Sequence, residues 1–252
     1  MVMVHEVHGD GSPVVFLHSG VGDRRQWGPQ APLSDRLTTI TCDLAGFGDT
    51  PLEPGEFSWA EDVIALLDHL ALDRVAIVGS SMGGKVAIEV AATWPQRLSS
   101  LVLLCAAYAG VEDDDEEWNK IGSVEERLLA AGDVDGVVEL NVRTWLGPRA
   151  DEGVRELVRT MQARSLAVQM QADEWSEVPS PKTRDIDLTD IHAPTTVALG
   201  RHDLGSFQRV AQHLAVGIPD GHLVELDWAG HLPNLEDPGE TNALLHRALL
   251  SS

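Results

Sequence analysis

Short runs of apolar residues alternate along the chain with longer segments of helical periodicity. Residues 14–18, 100–106 and 195–199 are apolar over most of their length, which is typical of strands that are buried on both faces. Amphipathic segments lie between such runs, and the clearest of them begins with the capping box Ser58-Trp59-Ala60-Glu61. This alternation predicts the α/β fold class, with a mostly parallel, doubly wound sheet that is covered by helices on both faces.

The alternation is interrupted between residues 108 and 190, where we predict helices but no strand. The helical segments are residues 123–132, 134–146 and 152–171. An entirely acidic run at residues 112–117 is interpreted as a solvated loop, because it lacks the spaced oxygen ligands and the turn glycine of a calcium site. Outside this region, a short helix is also expected near residues 27–37.

The most distinctive stretch is Gly79-Ser80-Ser81-Met82-Gly83, which fits the pattern G-x-S-x-G with Ser81 at its centre. An apolar run leads into it, and an Ala-rich segment of helical period leads out. A strand that turns this abruptly into a helix strains its middle residue, and a Cβ at either flanking glycine would crowd the neighbouring strand or helix. We therefore expect the Ser81 hydroxyl at a helix N-terminus, where the helix dipole and free N–H groups favour developing negative charge.

Four other short motifs accompany this stretch. They are His18-Ser19-Gly20, Asp43-Leu44-Ala45-Gly46-Phe47-Gly48, Gly200-Arg201-His202-Asp203 and Ala229-Gly230-His231. In this order the motifs resemble those of the α/β-hydrolase family, and the resemblance runs from about residue 14 to the C-terminus. It implies a helical lid inserted after the strand at residues 100–106. We expect a core of residues 1–107 and 191–252, and a lid of residues 108–190 that covers Ser81 and shapes the pocket.

The resemblance also implies a catalytic triad in the chain order serine, acid, histidine. Serine needs a base within hydrogen-bond reach, and the base needs a group that fixes its tautomer. Ser81 matches the nucleophile, His231 the base and Asp203 the orienting acid. His18 is the chief rival as base, but it precedes the loop on the oxyanion side, and we expect it to brace that loop.

Two backbone N–H groups would form the oxyanion hole by the same resemblance. Met82, the residue after the nucleophile, is expected to supply one of them, and Gly20 the other. Ser19 stands where the family has a glycine, so Val21 remains the alternative to Gly20.

Two nearby features are interpreted as structural. The loop that begins at Asp43 is expected to be tight, with its carboxylate bonded to nearby backbone. A phosphate-binding loop is disfavoured there, because no Lys/Ser pair follows and no helix begins. Lys85, one turn after Ser81, is interpreted as a solvated or structural lysine rather than as the partner of a Ser–Lys dyad.

Bulky apolar side chains are the candidates for the substrate pocket. We select Trp27, Trp118, Trp145 and Met161 as substrate-binding residues, with Trp175, Met170 and Phe47 as further candidates. Most aromatic residues at such spacings belong to a core. Taken together, these residues favour a mainly apolar cleft with room for an uncharged acyl group or a lactone.

Composition limits the partners. The chain has 252 residues, which fits one α/β domain with an insertion. Its net charge is −22, from 40 acidic and 18 basic residues, and such a surface repels phosphate backbones, which makes nucleic-acid binding improbable. No apolar stretch is long enough to predict a membrane span. We expect a small-molecule substrate and neither a nucleic-acid nor a membrane partner; the oligomeric state is left open.

The remaining expectations concern compartment and cofactors. Cys42 and Cys105 each lie in an apolar strand-like run, as small buried hydrophobes do. Those strands are not neighbours in the fold that the chain resembles, so no disulfide is expected. Residues 1–13 lack the cationic start and apolar core of a signal peptide, and the default compartment is cytoplasmic. No His/Asp/Glu cluster has metal-ligand spacing, and we expect neither a metal nor another cofactor.

The leading functional hypothesis is a serine hydrolase that cleaves a carboxylic ester or a lactone of a small, largely apolar molecule through an acyl-enzyme. Thioesters also fit. A carbon–carbon bond hydrolase, or a cofactor-free haloperoxidase or perhydrolase on the same triad, is the first alternative. Polar lid residues would serve the carbon–carbon reaction, and Asn141, Arg143, Arg155, Arg159 and Arg164 are available. A non-catalytic ligand-binding relative is the second alternative.

Overall fold

The computed structural model describes residues 2–111, 115–174, 179–182 and 184–250. The predicted pocket residue Trp175, and residues 112–114 of the predicted acidic loop, lie outside these ranges. The strands are β1 His5–His8, β2 Ser12–Leu17, β3 Leu37–Cys42, β4 Glu56–Phe57, β5 Val75–Ser80, β6 Leu98–Leu104, β7 Ser180–Pro181, β8 Thr195–Gly200 and β9 Gly221–Leu226. The α-helices are α1 Trp59–His69, α2 Met82–Thr93, α3 Glu116–Ala130, α4 Val134–Trp145, α5 Glu152–Gln169, α6 Gly205–Gly217, α7 Pro233–Glu236 and α8 Pro238–Leu250.

A seven-stranded sheet with the order β1-β3-β2-β5-β6-β8-β9 forms the centre of the molecule. All pairs in it are parallel except the edge pair β1–β3. Strands β4 and β7 form a separate two-stranded parallel pair. Because the carboxyl ends of parallel strands meet at one edge, the segments that follow β2, β5, β8 and β9 come together there. Those segments carry His18, Ser81, Asp203 and His231.

Helices cover both faces of the sheet, as predicted. On one face, Val63 of α1, Ile88 of α2 and Leu214 of α6 belong to one buried cluster with the strands. On the other face, Leu33 and Leu245 belong to a second cluster, which includes residues of α8. The fold is therefore an α/β-hydrolase fold with a mostly parallel sheet and flanking helices.

The short helix that was predicted near residues 27–37 is present before β3, but it begins and ends earlier and is not an α-helix. It forms a 3-10 helix, Arg24–Asp35, which is capped by the carboxylate of Asp23. Pro29 and Pro32 lie inside it. Proline has no N–H to donate and its ring clashes with the preceding turn, so a regular α-helix cannot form here.

The helices α3, α4 and α5 follow β6, and each begins at an aspartate cap. The side chains of Asp115, Asp133 and Asp151 accept backbone N–H groups of the first turns. The predicted start of the first helix at residue 123 is wrong, since the helix begins seven residues earlier, directly after Asp115. Apolar residues of these helices belong to a third buried cluster. This cluster also includes Val21, Phe207 and Leu232, which lie in loops and helices at the carboxyl edge of the sheet. This packing places the helices over that edge. None of the described helices combines the length and the apolar character that crossing a bilayer requires.

Candidate active site

Ser81 occupies a strained turn between β5 and α2. Its backbone has φ 50° and ψ −114°, a region that residues with a Cβ rarely adopt. The turn is held on both sides, because the Ser81 N–H donates to Leu104 O at 3.0 Å and the Ala107 N–H donates to Ser81 O at 2.9 Å. The neighbouring glycines are required by space: a Cβ on Gly79 would lie 2.5 Å from Gly83 O, and one on Gly83 would lie 2.3 Å from Leu17 O.

The two residues that are expected to supply the oxyanion donors are neighbours in space. A Cβ built on Gly20 would be 3.8 Å from the Cβ of Met82. Met82 is the first residue of α2, where the N–H has no acceptor within the helix. The N–H of Ser19 is already used, because it donates to Gln26 Oε1 at 2.9 Å. Gly20 as the source of the second oxyanion N–H stays a prediction, with Val21 as the alternative.

His231 and Asp203 form a buried pair. Nδ1 of His231 lies 2.7 Å from Asp203 Oδ2, and both side chains are 2% exposed. The loops that carry them pack backbone against backbone: the His202 N–H donates to Ala229 O at 2.9 Å, and a Cβ on Gly200 would lie 2.0 Å from Gly230 O. A carbonyl or carboxylate acceptor fixes the N–H on Nδ1, which leaves Nε2 of His231 as the atom able to accept a proton.

The end of β6 joins the Ser81 turn to the His231 loop. Leu104 O accepts the Ser81 N–H, and the next residue, Cys105, has its Sγ 3.5 Å from Gly230 O. Among the described residues, the Ser81 hydroxyl makes no hydrogen bond. Its bond to His231 therefore stays a prediction; catalytic hydrogen bonds of this kind are often long without substrate and shorten in the reacting complex.

Two aromatic rings lie directly against the imidazole of His231. The ring of Trp145 is 4.5 Å and that of Phe207 is 4.4 Å from it, centroid to centroid. Trp118 extends this wall, at 5.9 Å from Trp145 and 5.8 Å from Phe207. Met161 is fully buried in the same cluster. The structure thus brings three of the four selected pocket residues to this region.

Trp27 is the exception. It is buried in the cluster on the α8 face of the sheet, with its ring 5.0 Å from that of Phe16. This position is separated by the sheet from α1, α2 and α6, and no ring contact joins Trp27 to the aromatic wall beside His231 in the described part of the chain. Trp27 as a substrate contact stays a prediction, and its placement does not support it, because the 3-10 helix turns the side chain into the core.

Phe207 was not predicted from the sequence. It lies four residues after Asp203, near the start of α6. An aromatic residue one turn beyond the acid is the only local signal. That signal is weak, since an apolar residue at the start of a helix is ordinarily explained by core packing.

Glu236 also escaped prediction, although its carboxylate holds the loop of His231. It accepts the N–H groups on both sides of the histidine, from Gly230 at 2.8 Å and from Leu232 at 3.1 Å. A Cβ on Gly147, just beyond α4, would lie 2.2 Å from the same carboxylate, so the end of α4 docks on this loop. Burial raises the pKa of Glu236, and the N–H groups of Gly230, Gly147 and Leu232 oppose that shift.

Cys105 lies behind the acid–base pair. Its Sγ, a carboxylate oxygen of Asp203 and a ring nitrogen of His231 lie within 4.8 Å of one another. Burial raises the pKa of the Cys105 thiol, and the negative charge of Asp203 raises it further. Within this group a 2.7 Å hydrogen bond joins His231 Nδ1 to Asp203 Oδ2. We interpret it as a hydrogen-bonded His–Asp pair with a neutral thiol packed against it.

The loop that begins at Asp43 is structural, as predicted. The carboxylate is fully buried and accepts the N–H groups of Arg24 at 2.7 Å and Asp49 at 2.9 Å. Gly48 has φ 54°, and a Cβ there would lie 2.3 Å from Asp43 Oδ2. These contacts fix the backbone of the loop after β3, which lies next to β2.

With this geometry, residues 14–244 match the model of the Alpha/beta hydrolase family. The chain belongs to this family. A protein of Pseudomonas syringae that is provisionally named carbamate hydrolase RutD is 30% identical to it. The match covers 99% of this chain and 99% of that protein. The chain is also 37% identical to 2-hydroxy-6-oxo-2,4-heptadienoate hydrolase of Pseudomonas putida, over 79% of this chain and 75% of that protein.

Solved structures agree with this assignment. A thermophilic esterase from Thermogutta terrifontis is 28% identical, with a TM-score of 0.78 over 99% of this chain and 93% of the esterase. Est816, described as an N-acyl homoserine lactone degrading enzyme, is 26% identical, with a TM-score of 0.77 over 96% of this chain and 95% of that one. The relatives are hydrolases by name, and this α/β hydrolase is an enzyme of that class.

Proposed function

We propose that this α/β hydrolase is a serine hydrolase that cleaves a carboxylic ester or a lactone of a small, largely apolar molecule through an acyl-enzyme. The observation that carries the proposal is the buried 2.7 Å bond between His231 Nδ1 and Asp203 Oδ2. It lies at the sheet edge where Ser81 stands in its strained turn before α2. A positioned base, an orienting acid and a hydroxyl at a helix N-terminus are the parts that acyl transfer requires.

In the proposed first half-reaction, Ser81 Oγ attacks the carbonyl carbon while its proton passes to Nε2 of His231. Asp203 accepts the Nδ1–H and stabilises the imidazolium that results. The negative charge that develops on the carbonyl oxygen is stabilised by the N–H groups of Met82 and Gly20. Each such donor typically contributes about 3–4 kcal/mol of transition-state stabilisation.

The tetrahedral intermediate then collapses. The carbon–oxygen bond to the alcohol breaks, and His231 returns its proton to the leaving alkoxide, which gives the acyl-enzyme and the free alcohol. Water attacks the acyl group in the second half-reaction, with His231 as base, and releases the carboxylic acid and the Ser81 hydroxyl. A lactone follows the same steps, with the alcohol and the acid parts of one molecule.

The surroundings of His231 support an apolar substrate. Trp145 and Phe207 present aromatic rings to the imidazole, and Met161 packs behind them. The Thermogutta terrifontis relative is an esterase, and Est816 is described as an enzyme that degrades N-acyl homoserine lactones. Esters and lactones are both substrates for acyl transfer. We take these two reactions as the guide to the substrate class.

The carbon–carbon bond hydrolase is the second candidate, and the 37% identity to 2-hydroxy-6-oxo-2,4-heptadienoate hydrolase favours it. That reaction would draw on polar lid residues, yet several of these already have protein partners. Arg159 pairs with Glu139 and Glu152, and Asn141 bonds to Trp145 and Glu125. Because these groups are engaged within the protein, we rank ester and lactone hydrolysis first. The haloperoxidase or perhydrolase alternative uses the same triad and is tested by the same variant.

Replacement of Ser81 by alanine tests the proposal directly. We expect Ser81→Ala to lower kcat for p-nitrophenyl butyrate by about 10⁴-fold or more, and to abolish labelling by a fluorophosphonate. Ser80→Ala is the matched control, because the adjacent hydroxyl is buried and has no partner among the described residues. Equal activity of Ser81→Ala and wild type would refute the serine mechanism. An unlabelled wild-type enzyme would favour the non-catalytic alternative, and a panel of vinylogous diketones beside simple esters separates the two hydrolase readings.

A further inference from the structure

Two buried amide side chains link the 3-10 helix after the β2 loop to the segment that follows His231. Gln26 lies in the 3-10 helix and Asn234 lies in α7, and both are fully buried. Gln26 Nε2 donates to Asn234 Oδ1 at 3.2 Å, and Asn234 Nδ2 donates to the backbone oxygen of Gln26 at 3.0 Å. The catalytic steps proposed above use neither side chain.

These contacts fix the orientation of the Gln26 amide. Asn234 Nδ2 faces a carbonyl oxygen, so Asn234 Oδ1 is the atom that accepts from Gln26 Nε2. Gln26 Oε1 is therefore turned the other way, toward the loop after β2. There it accepts from both donors of a single residue, because the backbone N and the Oγ of Ser19 each lie 2.9 Å from it.

Ser19 begins the turn that carries the expected oxyanion donor. Its carbonyl oxygen accepts the Gly22 N–H at 3.0 Å, which closes a four-residue turn with Gly20 and Val21 at its centre. The Gln26 amide also packs against the far end of this turn, since a Cβ on Gly22 would lie 2.3 Å from Gln26 Oε1. In the described part of the chain, neither central N–H donates to a protein group. One amide oxygen thus contacts both ends of the turn, while the central N–H groups stay available.

The Ser19 donors explain why the turn needs this support. Ser19 is 1% exposed, and a buried donor without a partner is costly. Without Gln26 Oε1, the backbone would favour conformations in which the Ser19 N–H and hydroxyl find another acceptor. An oxyanion hole is effective only if its N–H groups already point to the place where charge will develop, so such a change would misdirect the donors at the centre of the turn.

We propose that Gln26 is a positioning residue for the oxyanion hole: its Oε1 holds Ser19 and thereby aims the central N–H groups of the turn at the carbonyl oxygen of the substrate. The proposal rests on the function proposed above. The bond from Gln26 to Asn234 also ties this turn to the segment after His231. The oxyanion side and the base side of the site therefore share one buried support.

Gln26→Met tests the proposal, because methionine has a similar length and volume but no amide oxygen for Ser19. We expect kcat for p-nitrophenyl butyrate to fall about 10- to 100-fold while KM changes less than about 3-fold, since the turn acts on charge that develops only in the transition state. Gln30→Met is the matched control. Gln30 is buried in the same helix and donates to Asn234 O at 3.1 Å, but no hydrogen bond joins it to Ser19 among the described residues.

The control separates a positioning role from a merely structural one. We expect both variants to have a lower thermal midpoint, because each loses a buried amide, whereas kcat in Gln30→Met should change less than about 3-fold. Equal losses of kcat in the two variants, measured below both midpoints, would overturn the proposal. Ser19→Ala is a milder second variant that removes one of the two bonds to Gln26. Its kcat should fall about 3- to 10-fold at nearly constant KM, and an unchanged kcat would overturn the route through Ser19.

A tetrahedral adduct gives a readout that lower stability does not change. With 1,1,1-trifluorohexan-2-one, Ser81 Oγ bonds to the carbonyl carbon, its proton passes to His231 Nε2, and the ketone oxygen becomes an oxyanion in the hole. We expect Ki for this ketone to rise in Gln26→Met by about the factor by which kcat/KM falls, and to change little in Gln30→Met. An unchanged Ki in Gln26→Met would overturn the proposal even if kcat fell. A wild-type-like Ser81→Ala would instead refute the serine mechanism, so the two failures are distinguishable.

Discussion

Two buried histidines lie at the same edge of the sheet, one after β2 and one after β9. The hydrogen-bond partners of their ring nitrogens differ. His18 is fully buried, with Nδ1 2.7 Å from Ser19 O and Nε2 accepting the Leu44 N–H at 3.0 Å. His231 is equally buried, but its Nδ1 meets the carboxylate of Asp203, and its Nε2 has no hydrogen-bond partner among the described residues.

The difference explains why one ring holds a loop and the other is suited to proton transfer. Backbone groups occupy both nitrogens of His18, so the ring links its own loop to the loop after β3, and a second proton on Nε2 would face the Leu44 N–H. Burial lowers the pKa of His18, although the Ser19 carbonyl and the charges of Asp43 and Asp23 act against this shift. His231 has instead a carboxylate against Nδ1 and, among the described residues, no hydrogen-bond partner at Nε2. Burial alone does not separate the two residues; the partner chemistry does.

Replacing each histidine by glutamine should break the comparison most strongly. We expect His231→Gln to lower kcat for p-nitrophenyl butyrate by about 10⁴- to 10⁶-fold, with little change in the urea midpoint. His18→Gln should retain most of the turnover but lose about 1–3 kcal/mol of unfolding free energy, because buried backbone groups lose their partners. If His18→Gln were the inactive variant and His231→Gln the unstable one, the two roles would be reversed.

A smaller effect is expected from Glu236, which holds the loop of His231 but does not touch Ser81. In Glu236→Gln one carboxylate oxygen becomes an NH₂ group that faces a backbone N–H, so the loop shifts. We expect kcat to fall about 10- to 100-fold, as small misplacements of catalytic groups do, while KM changes little. Glu240→Gln, an exposed acid on α8, is the control. An unchanged kcat in Glu236→Gln would mean that the loop holds its position without this carboxylate.

The smallest predicted effect is the contribution of His18 to the pH dependence of stability. Because its pKa is lower in the folded than in the unfolded chain, the unfolded chain binds more protons once the pH falls below about 6.5. His18 therefore makes the folded state less stable as the pH decreases through that range, by at most about 1.4 kcal/mol per pH unit. Urea unfolding at pH 7.5 and 5.5 should give a smaller difference for His18→Gln than for wild type. Equal differences would mean that the imidazole is protonated alike in both states.

Much of the site could be predicted because its signals are local or strictly ordered. The glycines around Ser81 are dictated by contacts within one strand–turn–helix unit, where a Cβ has no room. Asp203 and His231 each follow a strand of the parallel sheet, and such strand ends must meet at one edge. The starts of α4 and α5 at residues 134 and 152 were predicted, whereas the start of α3 was missed because Asp115 lies in a run of acids that was interpreted as a loop.

The sequence by itself determined the α/β alternation, the strained serine turn and the order of serine, acid and histidine, since each depends on neighbouring residues or on strand direction. Only the tertiary structure decided that Trp27 faces the core, that Phe207 and Trp145 flank His231, and that Glu236 accepts the N–H groups beside it. It also decided which buried histidine faces a carboxylate and which faces backbone groups alone. These features arise where segments far apart in sequence come into contact, and residue type alone does not specify which partner each will meet.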